Sequence, residues 1–167
     1  MTDDEIRERP NRIPWPPILY LTAVLAAWAL ETVCPATSLM PGYGARAWLR
    51  AVGLVPLCVG VGLDLAAMLA MRRARTNVLP HRGAQHLVTG SVFTFSRNPI
   101  YLGNALALAG LALALALPWL LVTTLIVAVL VDRLAIRREE RHLSARFGPA
   151  FSEYARRVPR WIGLRRR

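Results

Sequence analysis

Four long runs of apolar residues constrain the fold of this chain more than any other feature of the sequence. They cover residues 18–30, 48–71, 100–117 and 119–131. A helix needs about 20 mostly apolar residues to cross the roughly 30 Å hydrocarbon layer of a bilayer. A soluble domain of 167 residues would not gather its apolar residues in runs of this length. The sequence therefore predicts an integral membrane protein.

The last two apolar runs are separated by Pro118, and each is short for a membrane span. Because proline ends or bends a helix, we expect a tight helical hairpin that turns at Pro118. The predicted fold class is all-α, a polytopic membrane helical bundle of about four transmembrane helices. In the structural alternative, the third and fourth helices do not cross the bilayer fully.

The C-terminal region carries apolar residues at helical spacing with arginines between them: Phe147, Phe151, Tyr154 and Val158. This pattern predicts a cytoplasmic amphipathic helix on the membrane surface. We expect one structural domain, in which residues 1–71 form an N-terminal two-helix membrane segment. Residues 72–167 then hold a polar loop, the helical hairpin and the amphipathic region.

All 21 basic residues of the chain are arginines, and their positions predict its orientation. With four spans and both ends inside, 19 of the 21 lie on one side of the membrane. Short basic segments stay in the cytoplasm, so we expect both termini there and the protein in the cell inner membrane. This topology and attraction to anionic lipid account for the net charge of +11. No nucleic-acid motif is present, and we expect no nucleic-acid partner.

Cysteine and histidine spacing does not predict a metal site. Cys34 and Cys58 lie in or near apolar segments, and His81, His86 and His142 have no partners at the offsets that metal ligands show. No Gly-rich phosphate-binding turn follows a strand either. A nucleotide-like cofactor would have to be held in another way.

Two polar clusters bracket the helical hairpin. Residues 97–103 read Arg-Asn-Pro-Ile-Tyr-Leu-Gly, and residues 137–141 read Arg-Arg-Glu-Glu-Arg. Either cluster alone suits a plain membrane interface, since Pro99 fits the first helical turn and Tyr101 the headgroup level. Their placement at both ends of one hairpin instead favours a functional site on the cytoplasmic face.

These clusters belong to a longer pattern that carries a family resemblance. It consists of Gln-His-Leu-Val-Thr-Gly at 85–90, Phe93, the 97–103 cluster, Glu139 with Glu140, and the segment 147–161. The pattern resembles the integral-membrane methyltransferases of the isoprenylcysteine carboxyl methyltransferase family, which are similar to phospholipid N-methyltransferases. The resemblance covers roughly residues 76–161, and the order of four separate blocks makes it more specific than any single block.

The resemblance implies that S-adenosylmethionine binds between the loop before the hairpin and the helix after it. The residues it assigns to cofactor binding are Gln85, His86, Leu87, Val88, Phe93, Asn98, Pro99, Tyr101 and Glu139. Phe93 stands where tyrosine is usual, and Asn98 replaces the histidine of an Arg-His-Pro-x-Tyr element. We assign Arg97 and Glu140 to catalysis, since Glu140, with His86, is nearest to take a proton from an amine or thiol acceptor.

The chemistry of such a cofactor agrees with these residue types. A sulfonium cation and an adenine ring in a partly desolvated site need aromatic faces, amide groups and a carboxylate. Phe93, Asn98 and Glu139 supply them. Methyl transfer is an in-line displacement that positioning can accelerate, so it requires neither a metal nor a covalent enzyme nucleophile.

The acceptor is less constrained than the cofactor. In prenylcysteine enzymes an arginine four residues before the matching glutamate is associated with the substrate carboxylate, and that position is Ala135 here. Arg133 and Arg137 would serve only in a different helix register. We therefore expect a lipid-like or small apolar acceptor molecule that enters sideways from the bilayer. A carboxylate is one candidate for the group on it that is methylated. The oligomeric state stays open.

Two other functions remain as alternatives. One is a non-enzymatic helical membrane module with a basic lipid-binding tail. The other is an NADPH-dependent membrane reductase, because some sterol reductases carry a similar Arg-His-Pro-x-Tyr end, although those chains are longer and have more spans.

Residues within the second apolar run have structural as well as functional interpretations. Asp64 is either a functional acid within the membrane or a structural charge paired with Arg72 and Arg73. Gly60 and Gly62 are expected to permit close helix packing.

Overall fold

The computed structural model describes residues 13–36, 43–76 and 84–163. Within these ranges the chain is helical and has no strand, so the predicted all-α class is confirmed. The helices are α1 (Trp15–Val33), α2 (Tyr43–Arg73), α3 (Pro99–Ala114), α4 (Pro118–Val131), α5 (Arg137–Phe147) and α6 (Pro149–Arg157). A short 3₁₀ turn, Ser91–Thr94, precedes α3, and a π-helical turn, Asp132–Ile136, joins α4 to α5.

All four apolar runs form helices, and three helical stretches of the described chain are long and apolar enough to span a membrane. These are Trp15–Val33, Ala47–Arg73 and the continuous stretch Pro118–Phe147. The 16 residues of α3 reach only about 24 Å at 1.5 Å per residue. The chain is therefore an integral membrane protein in which α3 is the short member of the bundle.

The turn between α3 and α4 is a Schellman cap followed by Pro118. Leu117 N–H donates to the Ala112 carbonyl at 2.8 Å, and Ala116 N–H donates to the Leu113 carbonyl at 3.0 Å. Ala116 has φ +53° at the position where glycine is usual. Pro118 then starts α4, where its missing N–H costs little. The predicted hairpin turn at Pro118 is confirmed.

The end of α2 has the same cap. Thr76 N–H donates to the Met71 carbonyl at 3.1 Å and Arg75 N–H to the Arg72 carbonyl at 3.0 Å. Arg75 has φ +51°. No glycine marks either cap in the sequence, so sequence reasoning missed both. This cap matters because it fixes the direction in which Thr76 leaves the helix.

Replacing Arg75 with glycine is expected to raise the free energy of unfolding by up to about 1 kcal/mol, because a Cβ in the left-handed region is strained. Arg75 is exposed, so little packing is lost. The matched control is Arg72→Gly, which lies inside α2 and should lower stability by about 1 kcal/mol. Unfolding in detergent micelles measures both. Equal effects of the same sign would show that Arg75 carries no backbone strain.

Helices α2 and α3 pack along a seam of glycines, which we name the glycine seam: Gly53, Gly60, Gly103 and Gly110. A Cβ added at Gly60 would overlap the backbone of Gly103 and Ala107, and one at Gly53 would lie 2.5 Å from Ala114 N. The close packing predicted for Gly60 is confirmed. The prediction for Gly62 is wrong, because a Cβ there meets no atom within 4 Å. Two residues apart on a helix is about 200° of rotation, which points Gly62 away from α3.

The 30-residue stretch that contains α4 and α5 is roughly 45 Å long at 1.5 Å per residue. The hydrocarbon layer is only about 30 Å thick, so α5 extends beyond the membrane-spanning segment. Its charged residues then face the start of α3. Both polar clusters consequently lie at one end of the bundle, which we name the site end.

Helix α6 has the predicted amphipathic character, but its apolar face does not lie free on a membrane surface. Phe151, Tyr154 and Val158 are buried against Phe93 and Ala67. The Tyr154 hydroxyl also donates to the Phe93 carbonyl at 2.8 Å. The apolar face of α6 thus packs on the protein and covers the site end, and the expected position on the membrane surface stays a prediction.

Candidate active site

Two adjoining cavities open at the site end. The loop-side cleft has a cavity volume of about 60 Å³, and the hairpin-side cleft has a cavity volume of about 90 Å³. Both volumes are below the roughly 300–1,000 Å³ typical of small-molecule sites, so a nucleoside-sized ligand requires side chains of the cleft walls to move apart. The clefts share five lining residues: Met71, Phe93, Arg97, Asn98 and Glu139. A ligand in one cleft would therefore lie next to a ligand in the other.

The structure brings together ten of the eleven site residues predicted from the sequence. The loop-side cleft is lined by His86, Leu87, Val88, Phe93, Arg97, Asn98, Glu139 and Glu140. Pro99 and Tyr101 line the hairpin-side cleft. Gln85 lines neither cleft. Its side chain is exposed, and its backbone rather than its amide group contributes to the site.

The loop that carries residues 84–88 is anchored by two side chains that sequence reasoning did not assign to the site. Thr76 Oγ1 accepts hydrogen bonds from the backbone N–H groups of Gln85, at 3.0 Å, and His86, at 3.2 Å. His142 is fully buried, and its Nε2 accepts from Ala84 N–H at 3.2 Å. Nothing in the spacing of the sequence links these residues to the loop. His81 lies outside the described residues.

Replacing Thr76 with valine is expected to free this loop without changing the shape of the side chain. Each lost hydrogen bond contributes about 1 kcal/mol, and the two together restrain adjacent amides. We expect amide hydrogen exchange at Gln85 and His86 to accelerate by roughly tenfold. The control is Thr89→Val, an exposed threonine of the same loop that lines neither cleft. Unchanged exchange in Thr76→Val would show that Thr76 does not hold the loop.

Glu139 stands on the wall between the two clefts and has an unusual electrostatic position. Tyr101 Oη donates to Glu139 Oε2 at 3.0 Å. Within the part of the chain that the structure describes, no basic group lies within ion-pair distance of this carboxylate. Burial raises the pKa of Glu139, and the hydrogen bond from Tyr101 partly opposes this. The site thus contains one acid that has no cationic partner among the described residues.

The neighbouring Glu140 is in the opposite situation. Arg97 Nη1 lies 3.1 Å from Glu140 Oε1, and Arg160 donates to both oxygens, with Nε at 3.1 Å. Arg160 Nη1 also lies 3.4 Å from Asp132 Oδ1. Donating these hydrogen bonds to Glu140 raises the pKa of Arg160, which keeps the guanidinium charged. Because arginines occupy both oxygens of Glu140, the geometry favours a positioning role for this residue over proton transfer.

The segment 158–161 fastens the turn at 96–98. Arg97 N–H donates to the Pro159 carbonyl at 3.0 Å, and Asn98 Nδ2 donates to the Arg160 carbonyl at 3.0 Å. Asn98 N–H also donates to Ser96 Oγ at 3.1 Å. The Asn98 amide group is therefore held in one orientation. Arg160, which sequence reasoning missed, is the residue that links this turn to Glu140.

Arg97 has a free donor in this setting. Its Nη1 is engaged with Glu140, but its buried Nε has no hydrogen-bond partner among the described groups. A buried donor without a partner costs about 1–3 kcal/mol. Since Arg97 lines both clefts, a ligand oxygen would remove that cost.

The structure also places Asp64, Ala135 and the two arginines near Ala135. Asp64 lies against Gly103, and its buried Oδ1 has no hydrogen-bond partner among the described groups. The expected pairing with Arg72 and Arg73 is not found; both arginines are exposed. Ala135 is fully buried. The π-helical turn does not bring Arg133 or Arg137 into either cleft, and both are exposed.

Comparisons with known proteins agree with one another. The family model described as Phospholipid methyltransferase matches residues 48–150. Protein-S-isoprenylcysteine O-methyltransferase B of Arabidopsis thaliana is 32% identical over 124 residues, which is 71% of this chain and 61% of the relative. The Xenopus laevis protein-S-isoprenylcysteine O-methyltransferase is 28% identical over 142 residues, 84% of this chain and 49% of the relative. This chain thus spans about half to three fifths of their lengths, and no solved structure matches significantly.

Proposed function

This chain belongs to the phospholipid methyltransferase family, and on that premise we propose that it is an integral-membrane methyltransferase that uses S-adenosylmethionine. Membership agrees with the resemblance to isoprenylcysteine carboxyl methyltransferases found in the sequence. One observation carries the proposal: Glu139, an acid with no cationic partner among the described residues, is oriented by Tyr101 on the wall between two clefts. A cationic methyl donor supplies the missing charge.

The residues of the loop-side cleft fit such a donor. S-adenosylmethionine, when bound, supplies an electrophilic methyl carbon on a positively charged sulfur. Glu139 offers the carboxylate, Leu87 and Val88 offer apolar surface for a ring, and Phe93 offers an aromatic face. The unpartnered Nε–H of Arg97 suits a carboxylate oxygen. The site therefore provides complementary groups for the charged and apolar parts of the donor.

The protein's own contribution to methyl transfer is positioning. Tyr101 orients Glu139, and the Arg160 carbonyl orients the Asn98 amide. Fixed groups of this kind hold two reactants in line, which supplies much of the acceleration of a displacement reaction. Glu140, paired with Arg97 and Arg160, holds the Arg97 guanidinium at the junction of the two clefts.

The hairpin-side cleft is our candidate for the acceptor. Its walls include Pro99, Ile100 and Tyr101 at the start of α3, so an apolar molecule could reach it from the bilayer. The relatives are named for action on protein-S-isoprenylcysteine. Here Ala135 is buried and no arginine of α5 replaces it in the clefts, so we propose a lipid-like or small apolar acceptor.

We further propose that the site end faces the cytoplasm of a cell whose inner membrane holds the protein. Exposed arginines crowd this end, among them Arg72, Arg73 and Arg137, and short basic segments are retained on the cytoplasmic side. The non-enzymatic alternative gives no role to Glu139, a buried acid with no cationic partner among the residues described. The reductase alternative does not explain Glu139 either, because a reductase binds no sulfonium cation that would pair with this carboxylate.

Donor binding and methyl transfer test the proposal together. Titration calorimetry in detergent should show saturable binding of S-adenosylhomocysteine, and labelled methyl groups from S-adenosylmethionine should enter an organic-soluble product. Phosphatidylethanolamine, a farnesylcysteine analogue and a long-chain fatty acid would separate amine, prenylcysteine and simple carboxylate acceptors. Absence of both donor and product binding by intact protein would overturn the proposal, and binding of NADPH instead would favour the reductase.

A further inference from the structure

A second surface feature lies beside the active site, on the other side of its loop. This α2 groove, of about 350 Å³, runs between the end of α2 and residues 88–91. The residues that matter for its chemistry are Ala66, Leu69, Arg73, Val88, Gly90 and Ser91. We propose that the α2 groove binds an anionic phospholipid and that the bound lipid supports the loop wall of the active site.

The charge of the α2 groove favours an anionic headgroup. Arg72, Arg73 and Arg75 are exposed around the end of α2, and none has an acidic partner within ion-pair distance among the described residues. Arg97 and Arg160, on the active-site side, are both paired with Glu140. Arg73 is thus an available guanidinium, a group that binds phosphate oxygens in a bidentate manner.

The apolar part of the α2 groove favours a lipid over free phosphate. Leu69 is 48% exposed, and it lies on the same helical face as Gly62, Ala66 and Arg73, at spacings of four, three and four residues. Gly62 presents no side chain, and a Cβ there would meet no atom within 4 Å. This helix face is therefore a shallow apolar surface that ends at the basic Arg73. Such a surface matches the acyl chain and the phosphate headgroup of a lipid.

The position of Val88 couples the α2 groove to the active site. Val88 lines both the α2 groove and the loop-side cleft, so the loop between the two spaces is one residue thick at this point. The same loop continues into Ser91, whose φ of +57° is strained for a residue with a side chain. A lipid seated in the α2 groove would restrain this loop. By linkage, lipid and methyl donor would each increase the affinity of the other.

Direct lipid binding tests the first half of this inference. Native mass spectrometry of the detergent-solubilised full chain would compare retention of phosphatidylglycerol and phosphatidylcholine, with inorganic phosphate as a competitor. Arg73→Gln should reduce phosphatidylglycerol affinity roughly tenfold, the effect of losing a charged hydrogen-bonded contact. The matched control, Arg156→Gln, removes the same charge from an exposed position on α6 and should have little effect.

Two results would overturn the lipid site. One is equal phosphatidylglycerol affinity in Arg73→Gln and Arg156→Gln, and the other is displacement of the lipid by inorganic phosphate alone. Circular dichroism verifies that both variants keep their helical content. A milder variant, Arg73→Lys, keeps the charge and should retain part of the affinity, so a folding defect in Arg73→Gln does not leave the question open.

The coupling rests on the proposed function and has its own readout. In nanodiscs, phosphatidylglycerol mixed into phosphatidylcholine should tighten S-adenosylhomocysteine binding by several-fold, and Arg73→Gln should abolish this gain. Lipid binding that depends on Arg73 but leaves donor affinity unchanged would overturn the coupling alone. Lipid binding without any donor binding would overturn the proposed function and leave the lipid site standing.

Discussion

Replacing Glu139 with glutamine is expected to lower the affinity for S-adenosylmethionine by roughly 10- to 100-fold, the cost of losing a charged partner worth about 1.5–3 kcal/mol. Glutamine keeps the size of the side chain and can still accept the hydrogen bond from Tyr101. It removes only the negative charge, which no basic group of the described chain neutralises. The measurement is titration calorimetry with the purified protein.

The comparison of two ligands makes this prediction specific. S-adenosylmethionine carries a sulfonium charge and S-adenosylhomocysteine carries a neutral sulfur. If Glu139 compensates the sulfonium, Glu139→Gln should weaken binding of the first more than binding of the second. Equal losses would place Glu139 against a part common to both ligands, and no loss would remove it from the site. Glu153→Gln is the matched control, since Glu153 is exposed and paired with Arg157.

The same charge gives a pH dependence with a definite sign. Burial raises the pKa of Glu139 above that of an ordinary glutamate, so the free site binds a proton more readily than a solvated carboxyl group does. A bound cation favours the ionised form and displaces that proton. Affinity for S-adenosylmethionine should therefore fall as the pH is lowered through this raised pKa. In Glu139→Gln this part of the pH dependence should disappear.

Replacing Gly60 with alanine is expected to lower the free energy of unfolding by about 3 kcal/mol or more, because backbone atoms give way less readily than side chains in an overpacked contact. The new Cβ would overlap the Gly103 carbonyl and Ala107. Helices α2 and α3 would have to separate along the glycine seam. Donor binding should fall as well, since Met71 at the end of α2 lines both clefts.

Gly62→Ala is the control for this substitution. It makes the same chemical change two residues away, at a position where a Cβ meets no atom within 4 Å. Alanine is the better helix former by about 0.5–1 kcal/mol, so Gly62→Ala should be neutral or stabilising. Denaturant unfolding in micelles and elution from a sizing column measure both variants. Similar stability of the two variants would refute the glycine seam.

Much of the fold was predictable because the signals are local. Apolar run length indicates a membrane helix without knowledge of its neighbours, and Pro118 marks the hairpin turn in the same way. The motif pattern also placed ten of eleven predicted residues at one pair of clefts. Gln85 lines neither cleft, and a pattern of residue types does not distinguish a side-chain contact from a backbone contact.

The residues that sequence reasoning missed have a common cause. Thr76, His142 and Arg160 act through hydrogen bonds that join a side chain to a backbone group elsewhere in the chain. The Thr76 and His142 side chains accept from backbone N–H groups at 85–86 and 84, and the Arg160 carbonyl accepts from the Asn98 side-chain amide. Such partners have no periodicity and no fixed spacing. They become visible only when the end of α2, α5 and the C-terminal segment meet at the site end.

The sequence alone determined that this chain forms a membrane helical bundle with polar clusters at both ends of a hairpin, because transfer of a segment into lipid depends on that segment's own composition. The family resemblance assigned Glu139 to the cofactor, and Glu140 was assigned to catalysis, but two adjacent glutamates in one charged run carry no local sign of which one is paired with a cation. Only the tertiary structure decided the ion pairing: Arg160, 20 residues further along the chain, returns to pair with Glu140, and no basic group of the described residues pairs with Glu139. Electrostatic compensation depends on distance in space, and that distance is set by packing.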